Sequence, residues 1–190
     1  MPMSDYLRGL RDKIGHDLVL VPMVSALVFD GRQRVLLVRH AATELWSTPG
    51  GMPQPFETPA DAVVRTTWEE TGLLVEPLRV VGIFGGMECS VTYRDGDQVA
   101  FIATAFEARI LEGTPRADDA GFMTRHVAAA EVADLPCYPH VSDMLHASFD
   151  PATAGDPRNP GTAAQPRAAW FRPPRWRPPR GTSTPRTPGH

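Results

Sequence analysis

Between Gly50 and Leu73 the chain reads GGMPQPFETPADAVVRTTWEETGL, and its punctuation leaves the backbone little freedom. Thr58 is a good N-cap, Pro59 fits the first helical position, and Gly72 stops the helix at its C-terminus. The segment therefore predicts a helix over residues 59–71, entered from a Gly-Gly turn. At 3.6 residues per turn, Arg65 neighbours Glu69 and Thr66 neighbours Glu70, each at i, i+4. Glu69 and Glu70 are expected on one outer face, with Ala60, Val64, Thr67 and Trp68 broadly opposite. Two carboxylates near a helix C-terminus oppose the macrodipole, which favours cations there. Arg65 supplies part of the positive charge, and a bound Mg²⁺ or Mn²⁺, which take oxygen ligands, would supply more. Glu57, just before the helix, could point into the same space.

The rest of the chain supplies a scaffold for this helix. Asp5 and Ser4 could cap a short N-terminal helix whose Tyr6, Leu7, Leu10 and Ile14 recur on one face. The apolar run 18–29, the turn Asp30-Gly31 and RVLLVRH (34–40) predict a strand, a tight turn and a second strand. Pro22 within the first strand implies an edge position or a bulge. Trp46 precedes the glycines and reads as a packing residue, with base stacking open beside a nucleotide site. Residues 73–86 are strand material broken by Pro77, and Asp95-Gly96 marks a hairpin into an alternating run to residue 110. A further short strand is expected at 124–127 and helical segments near 128–135 and around Val141, Met144 and Leu145. These elements predict an α/β domain with a mixed sheet over residues 1–150.

From Pro151 the character changes. Residues 151–190 hold ten prolines and few aliphatic side chains, a composition that cannot bury enough apolar surface to offset the entropy of ordering. They are expected to form a disordered Pro/Arg-rich tail. With seven arginines and one acid the tail carries +6, which leaves −9 on residues 1–150 out of a net −3. An acidic body argues against nucleic acid wrapping around the domain, although the WFRPPRWRPPR run (170–180) could touch a nucleic-acid backbone, an acidic surface or a polyproline groove. The longest apolar run is too short to span a bilayer, and the N-terminal residues lack a signal-peptide core. Cys89 and Cys137 have no paired spacing and read as reduced thiols. The expected compartment is the cytoplasm.

An isolated Glu-Glu pair is usually a solvated helix face, but the spacing here is long and constrained: Gly51, Glu57, Arg65, Glu69, Glu70, Gly72 and Leu73. In these positions the chain resembles the Nudix hydrolase family, whose signature is Gly, five residues, Glu, seven residues, Arg-Glu-apolar-x-Glu-Glu-x-Gly-apolar. The likeness extends to the apolar strand, the Asp-Gly turn, RVLLVRH, the Trp before Pro-Gly-Gly and the TYRDGD hairpin, roughly residues 15–147. It implies an α/β/α sandwich with a mixed sheet that hydrolyses a diphosphate linkage in a nucleoside diphosphate derivative. It further implies Glu57, Glu69 and Glu70 as ligands of Mg²⁺ or Mn²⁺, Glu70, Glu69 and Arg65 as the catalytic set, and Gly50 and Gly51 at the substrate.

The chain departs from the signature at Thr66, where the family has glutamate, and at Thr67, where it has an apolar residue. Phe56 replaces a common glycine, Gln54 a frequent acid, and Met123 an acid near the penultimate strand. Carboxylates that could substitute are Glu88, Asp95, Asp97, Glu107, Asp118 and Asp119. Two functions follow: a metal-dependent pyrophosphohydrolase, or a degenerate Nudix fold that binds a nucleotide or protein without turning it over.

Overall fold

A computed structural model describes residues 5–41, 43–115, 122–149 and 171–179. Helix α1 (Asp5–Ile14) is followed by strands β1 (Val19–Val28), β2 (Arg34–His40), β3 (Trp46–Ser47) and β4 (Gly50–Gly51). Helix α2 (Pro59–Thr71) leads into β5 (Leu74–Phe84), then β6 (Ser90–Thr92), β7 (Gln98–Glu112) and β8 (Phe122–Ala128), and the short α3 (Ala129–Val132) and α4 (Pro139–Phe149) close the domain. The larger sheet has the order β4-β1-β7-β5, with β6 also on β7; the smaller is β3-β2-β8. Since β1 runs parallel to β7 while β4, β5 and β6 pair antiparallel, the expected mixed sheet is present.

Alternation along the central strands separates two cores. Val24, Ala26 and Val28 of β1, with Phe106 and Ala108 of β7, pack on Ala62, Val63 and Val64 of α2. Val19 and Val21, with Phe101, Ala103 and Ala105, face the other way and join Val141, Met144 and Leu145 of α4. Successive strand side chains point to opposite faces, so one sheet serves both layers. This is the α/β/α sandwich expected.

Both strand prolines sit where a missing N–H does little harm. β4 covers β1 only at Val24 and Ser25, so Pro22 lies where β7 is the sole neighbouring strand. Pro77 falls at a register shift between β5 and β7. The β1–β2 turn is tied by Asp30, whose carboxylate accepts from the Arg32 and Arg34 main-chain N–H groups at 2.9 Å each and from Arg34 Nε at 2.8 Å. These hydrogen bonds, the Arg34 main-chain one foremost, hold its pKa down at about 2.

The predicted tail falls largely outside the described residues, since 150–170 and 180–190 are not among them. The described piece, 171–179, has no helix or strand, yet it is packed against the domain. The Phe171 ring meets Phe106 edge-on at 5.2 Å between centroids, and Trp176 joins the α2-side core. The Trp176 N–H donates to Asp61 Oδ1 at 2.7 Å, and the Arg175 N–H donates to the same oxygen. Average composition hid this contact because two aromatics five residues apart supply the apolar surface that the prolines and arginines lack.

Candidate active site

The helix of the opening motif forms as its punctuation predicts. Thr58 accepts a hydrogen bond from the Asp61 N–H at 3.2 Å, and Gly72 adopts φ 74° while its N–H donates to the Trp68 carbonyl. The expected division of faces fails for one carboxylate. The Glu69 side chain is 48% exposed, but that of Glu70 only 2%. α2 contacts β1, β4, β5 and β8 rather than lying on the surface by one edge, so Glu70 turns inward to the glycine turn.

There the Gly50 N–H donates to Glu70 Oε2 at 3.0 Å. Gly50 has to be glycine: a Cβ would lie 2.2 Å from the Val24 carbonyl oxygen, where β4 presses on β1. The other carboxyl oxygen, Oε1, lies 3.8 Å from His40 Nε2. Burial raises the Glu70 pKa to about 8 and lowers that of His40 to about 4. At pH 7 the pair is therefore a neutral imidazole facing a carboxylic acid, not an ion pair.

Arg65 organises the second half of the site. Its Nε and one terminal nitrogen donate to the two Glu57 oxygens, each at 2.8 Å. The other terminal nitrogen reaches Glu69 Oε2 at 3.0 Å, and the Met52 carbonyl accepts at 3.0 Å. Glu57 also accepts from the Gln54 N–H at 2.8 Å. The structure thus brings Glu57, Arg65 and Glu69 together as one network and holds Glu70 apart from it. Both oxygens of Glu57 accept from Arg65, which fixes the carboxylate beside the guanidinium.

Thr66 is fully buried, and its hydroxyl donates back to the Ala62 carbonyl at 2.8 Å. It offers a site no charge. Among the described residues no group of three or more His, Cys, Asp or Glu is arranged to hold a metal ion. What the chain provides is two carboxylates on consecutive residues: Glu70, which is buried, and Glu69, which is half exposed and whose Oε1 has no bond to Arg65. Hard carboxylate oxygens of this kind fit a divalent cation of the Mg²⁺ or Mn²⁺ type.

A cavity of about 380 Å³ opens from this corner, within the size range of small-molecule sites. Gly50, Gly51, His40 and Glu70 line one part, and Phe101, Tyr138, His140, Tyr93, Asp95 and Asp97 line others. The Phe101 and His140 rings meet edge-on at 5.1 Å, and Tyr138 stacks on His140 at 5.7 Å. His40, Tyr138 and His140 carry no signal in the sequence, because His40 ends β2 while Tyr138 and His140 stand at the start of α4, and only the fold brings the two elements to one cavity. Of the carboxylates considered as substitutes, Asp95 and Asp97 line the cavity and Glu107 pairs with Arg79 at 2.7 Å. Glu88 lies in the turn before β6, and Asp118 and Asp119 are outside the described residues. Met123 pairs with Arg39 across β8 and β2, and Trp46 packs in the α4-side core.

Known proteins resemble this chain in sequence and in fold. A protein of Mycobacterium tuberculosis provisionally named 8-oxo-dGTP diphosphatase 3 is 36% identical over 115 residues, which are 58% of this chain and 51% of that protein. A MutT-like protein of Streptomyces ambofaciens is 38% identical over 61 residues, 32% of this chain and 40% of the other. A Bacillus subtilis protein provisionally named as an ADP-ribose pyrophosphatase is 42% identical over 60 residues, 32% of this chain and 28% of its own length. The chain thus spans about half or less of the curated relatives it matches. The fold is shared with a solved Nudix hydrolase from Nitrosomonas europaea, at TM-score 0.57 and 20% identity over 68% of this chain and 88% of that one. A MutT protein from Methanosarcina mazei gives TM-score 0.56 and 20% identity over 68% and 93%. The NUDIX domain family matches residues 19–153, well over half of the chain, and the protein belongs to that family.

Proposed function

We propose that the protein hydrolyses a diphosphate linkage in a nucleoside diphosphate derivative, in a divalent-metal-dependent reaction. The observation that carries this reading is Glu70, a buried carboxyl group held by the Gly50 N–H at one end of a ligand-sized cavity. Relatives named for 8-oxo-dGTP and ADP-ribose substrates support the substrate class. When bound, Mg²⁺ or Mn²⁺ would neutralise charge on the phosphoryl oxygens and lower the pKa of a coordinated water. Glu70 and Glu69 are the residues that would hold it, with Glu57, joined to Glu69 through Arg65, as a further ligand. Arg65 fixes the Glu69 carboxylate, and Glu57 fixes Arg65. Gly50 and Gly51 let the main chain approach the diphosphate closely, since no side chain stands there.

The catalytic unit is residues 1–150, with 151–190 appended. Among the described residues no helix is long and apolar enough to cross a membrane. Two free thiols, Cys89 and Cys137, support a reducing compartment such as the cytoplasm.

One observation favours a second reading, a Nudix fold that binds nucleotide without turnover: the Thr66 hydroxyl is spent on the Ala62 carbonyl and contributes no carboxylate. A panel of nucleoside diphosphate derivatives, including ADP-ribose and 8-oxo-dGTP, with Mg²⁺ and with Mn²⁺, separates the two. Hydrolysis requires a phosphorylated product from at least one substrate. Stabilisation by nucleotide with a flat product assay at high enzyme concentration would select the second reading.

A further inference from the structure

Helix α1 lies before the part of the chain that matches the family, which begins at residue 19. Its place relative to the cavity follows from strand register. Gly50 pairs with Ser25 on β1, whereas Val19, six residues earlier, pairs with Val99 at the start of β7, and Val99 pairs with Val91 of β6. Six strand residues put this second end roughly 20 Å from the glycine turn. The floor between them is one face of the sheet, where Val21, Met23 and Ser25 alternate along β1 beside Val99, Phe101 and Ala103.

α1 is clamped to that far end. Arg11, only 8% exposed, donates through one terminal nitrogen to the Gly15 and Asp17 carbonyls at 3.1 and 2.6 Å. The other terminal nitrogen donates to the Gln98 carbonyl at 2.8 Å, and Nε lies 3.3 Å from Asp97 Oδ2. His16, just past the helix, meets Asp97 Oδ1 at 2.8 Å. Leu7, one turn before Arg11, lines the cavity together with Arg11 and Asp97. The two terminal nitrogens are thus bonded to main-chain carbonyls, and the charge of the guanidinium is paired with Asp97. The wall shows carboxylates, Asp95 and Asp97, beside apolar Leu7 and Val99 and the Tyr93 ring.

We propose that α1 is the specificity wall of this site: Leu7 and the Asp97 that Arg11 holds receive the nucleobase, while the diphosphate stays at Gly50 and Glu70. A base suits this wall because it is neutral, has flat apolar faces and carries N–H donors for carboxylate oxygens. A phosphate there would meet like charge. The inference rests on the proposed nucleotide substrate. Arg11 acts here as a positioning residue.

The test is binding, read by calorimetry on the full chain with Mg²⁺, using two kinds of probe. Imidodiphosphate occupies only the diphosphate end, and ADP, GDP, CDP and UDP add a sugar and four different bases. Wild type should bind the four diphosphonucleosides unequally. Leu7→Trp, which fills the far end, should weaken the preferred one at least tenfold, and Asp97→Asn should change the order of preference, both with imidodiphosphate affinity within twofold of wild type. Equal binding of all four bases by wild type, no effect of Leu7→Trp, or parallel loss of imidodiphosphate would overturn the assignment of α1 while leaving the hydrolase reading intact. Selective binding without turnover in the product assay would retain α1 and remove the hydrolase. No binding of any probe would remove both.

Discussion

Thr66 and Glu70 stand one turn apart on the buried side of α2, and the absence of a carboxylate at Thr66 shapes the site. Thr66→Glu would place a second acid beside Glu70 in space that water does not reach. In metal-free protein the substitution should cost about 2–5 kcal/mol, seen as a fall in thermal midpoint. Mg²⁺ or Mn²⁺ should restore much of the loss, and no response to either ion would show that the two positions share no cation seat. Phe56 presents a different residue-scale departure. It stands where the resemblance leads one to expect glycine, and its backbone does take a left-handed φ of 69° with the ring fully exposed. That conformation costs a non-glycine residue roughly 1–2 kcal/mol. Phe56→Gly should therefore stabilise the domain by up to ~1 kcal/mol in denaturant unfolding, after the greater freedom of glycine in the unfolded chain is subtracted.

At the scale of elements, the helix 59–71 was fully legible because its limits are set by local chemistry, a threonine cap, a proline and a left-handed glycine. Its burial was not legible. Helical spacing places Glu69 and Glu70 side by side, but only the β4 glycine turn, which closes over the helix from twenty residues upstream, draws Glu70 inward. The two ends of the cavity were hidden for the same reason: α1, β7 and the start of α4 meet there from distant parts of the chain. The β1–β2 turn makes a pH prediction. The folded Asp30 pKa, about 2, lies below its ordinary 3.8. A depressed carboxylate contributes stability that is fully present above pH 3.8 and is lost as pH falls toward 2. Asp30→Asn should flatten the acid limb of the stability profile in that window, and an unchanged limb would remove Asp30 from the account. The strap at 171–179 makes another. Trp176→Ala should lower stability by about 1–3 kcal/mol through lost apolar burial on the α2 side. A tail free of the domain would leave the unfolding midpoint unmoved.

For the whole molecule, an acidic domain carries one strongly basic C-terminal segment, and the docked part of that segment turns its aromatics inward and leaves Arg172, Arg175 and Arg177 exposed. The layered fold places α2 on one face of the mixed sheet and α4 on the other, and a ligand-sized cavity runs along the α4-side face of that sheet to Glu70 at the corner nearest α2. Sequence spacing was enough to identify the family's architecture, because a conformational signature fixes a loop and a helix together. It could not show how many carboxylates converge, since convergence is a property of tertiary packing. The central claim is that Glu70 makes this corner a hydrolytic site, and it is tested most directly by product release from the panel substrates with Mg²⁺, wild type beside Glu70→Gln. The account predicts a phosphorylated product with wild type and at least a hundredfold less with the variant, whose unfolding midpoint in metal-free buffer stays at or above that of wild type. Equal turnover by the two proteins, or none by wild type with either metal, would contradict it.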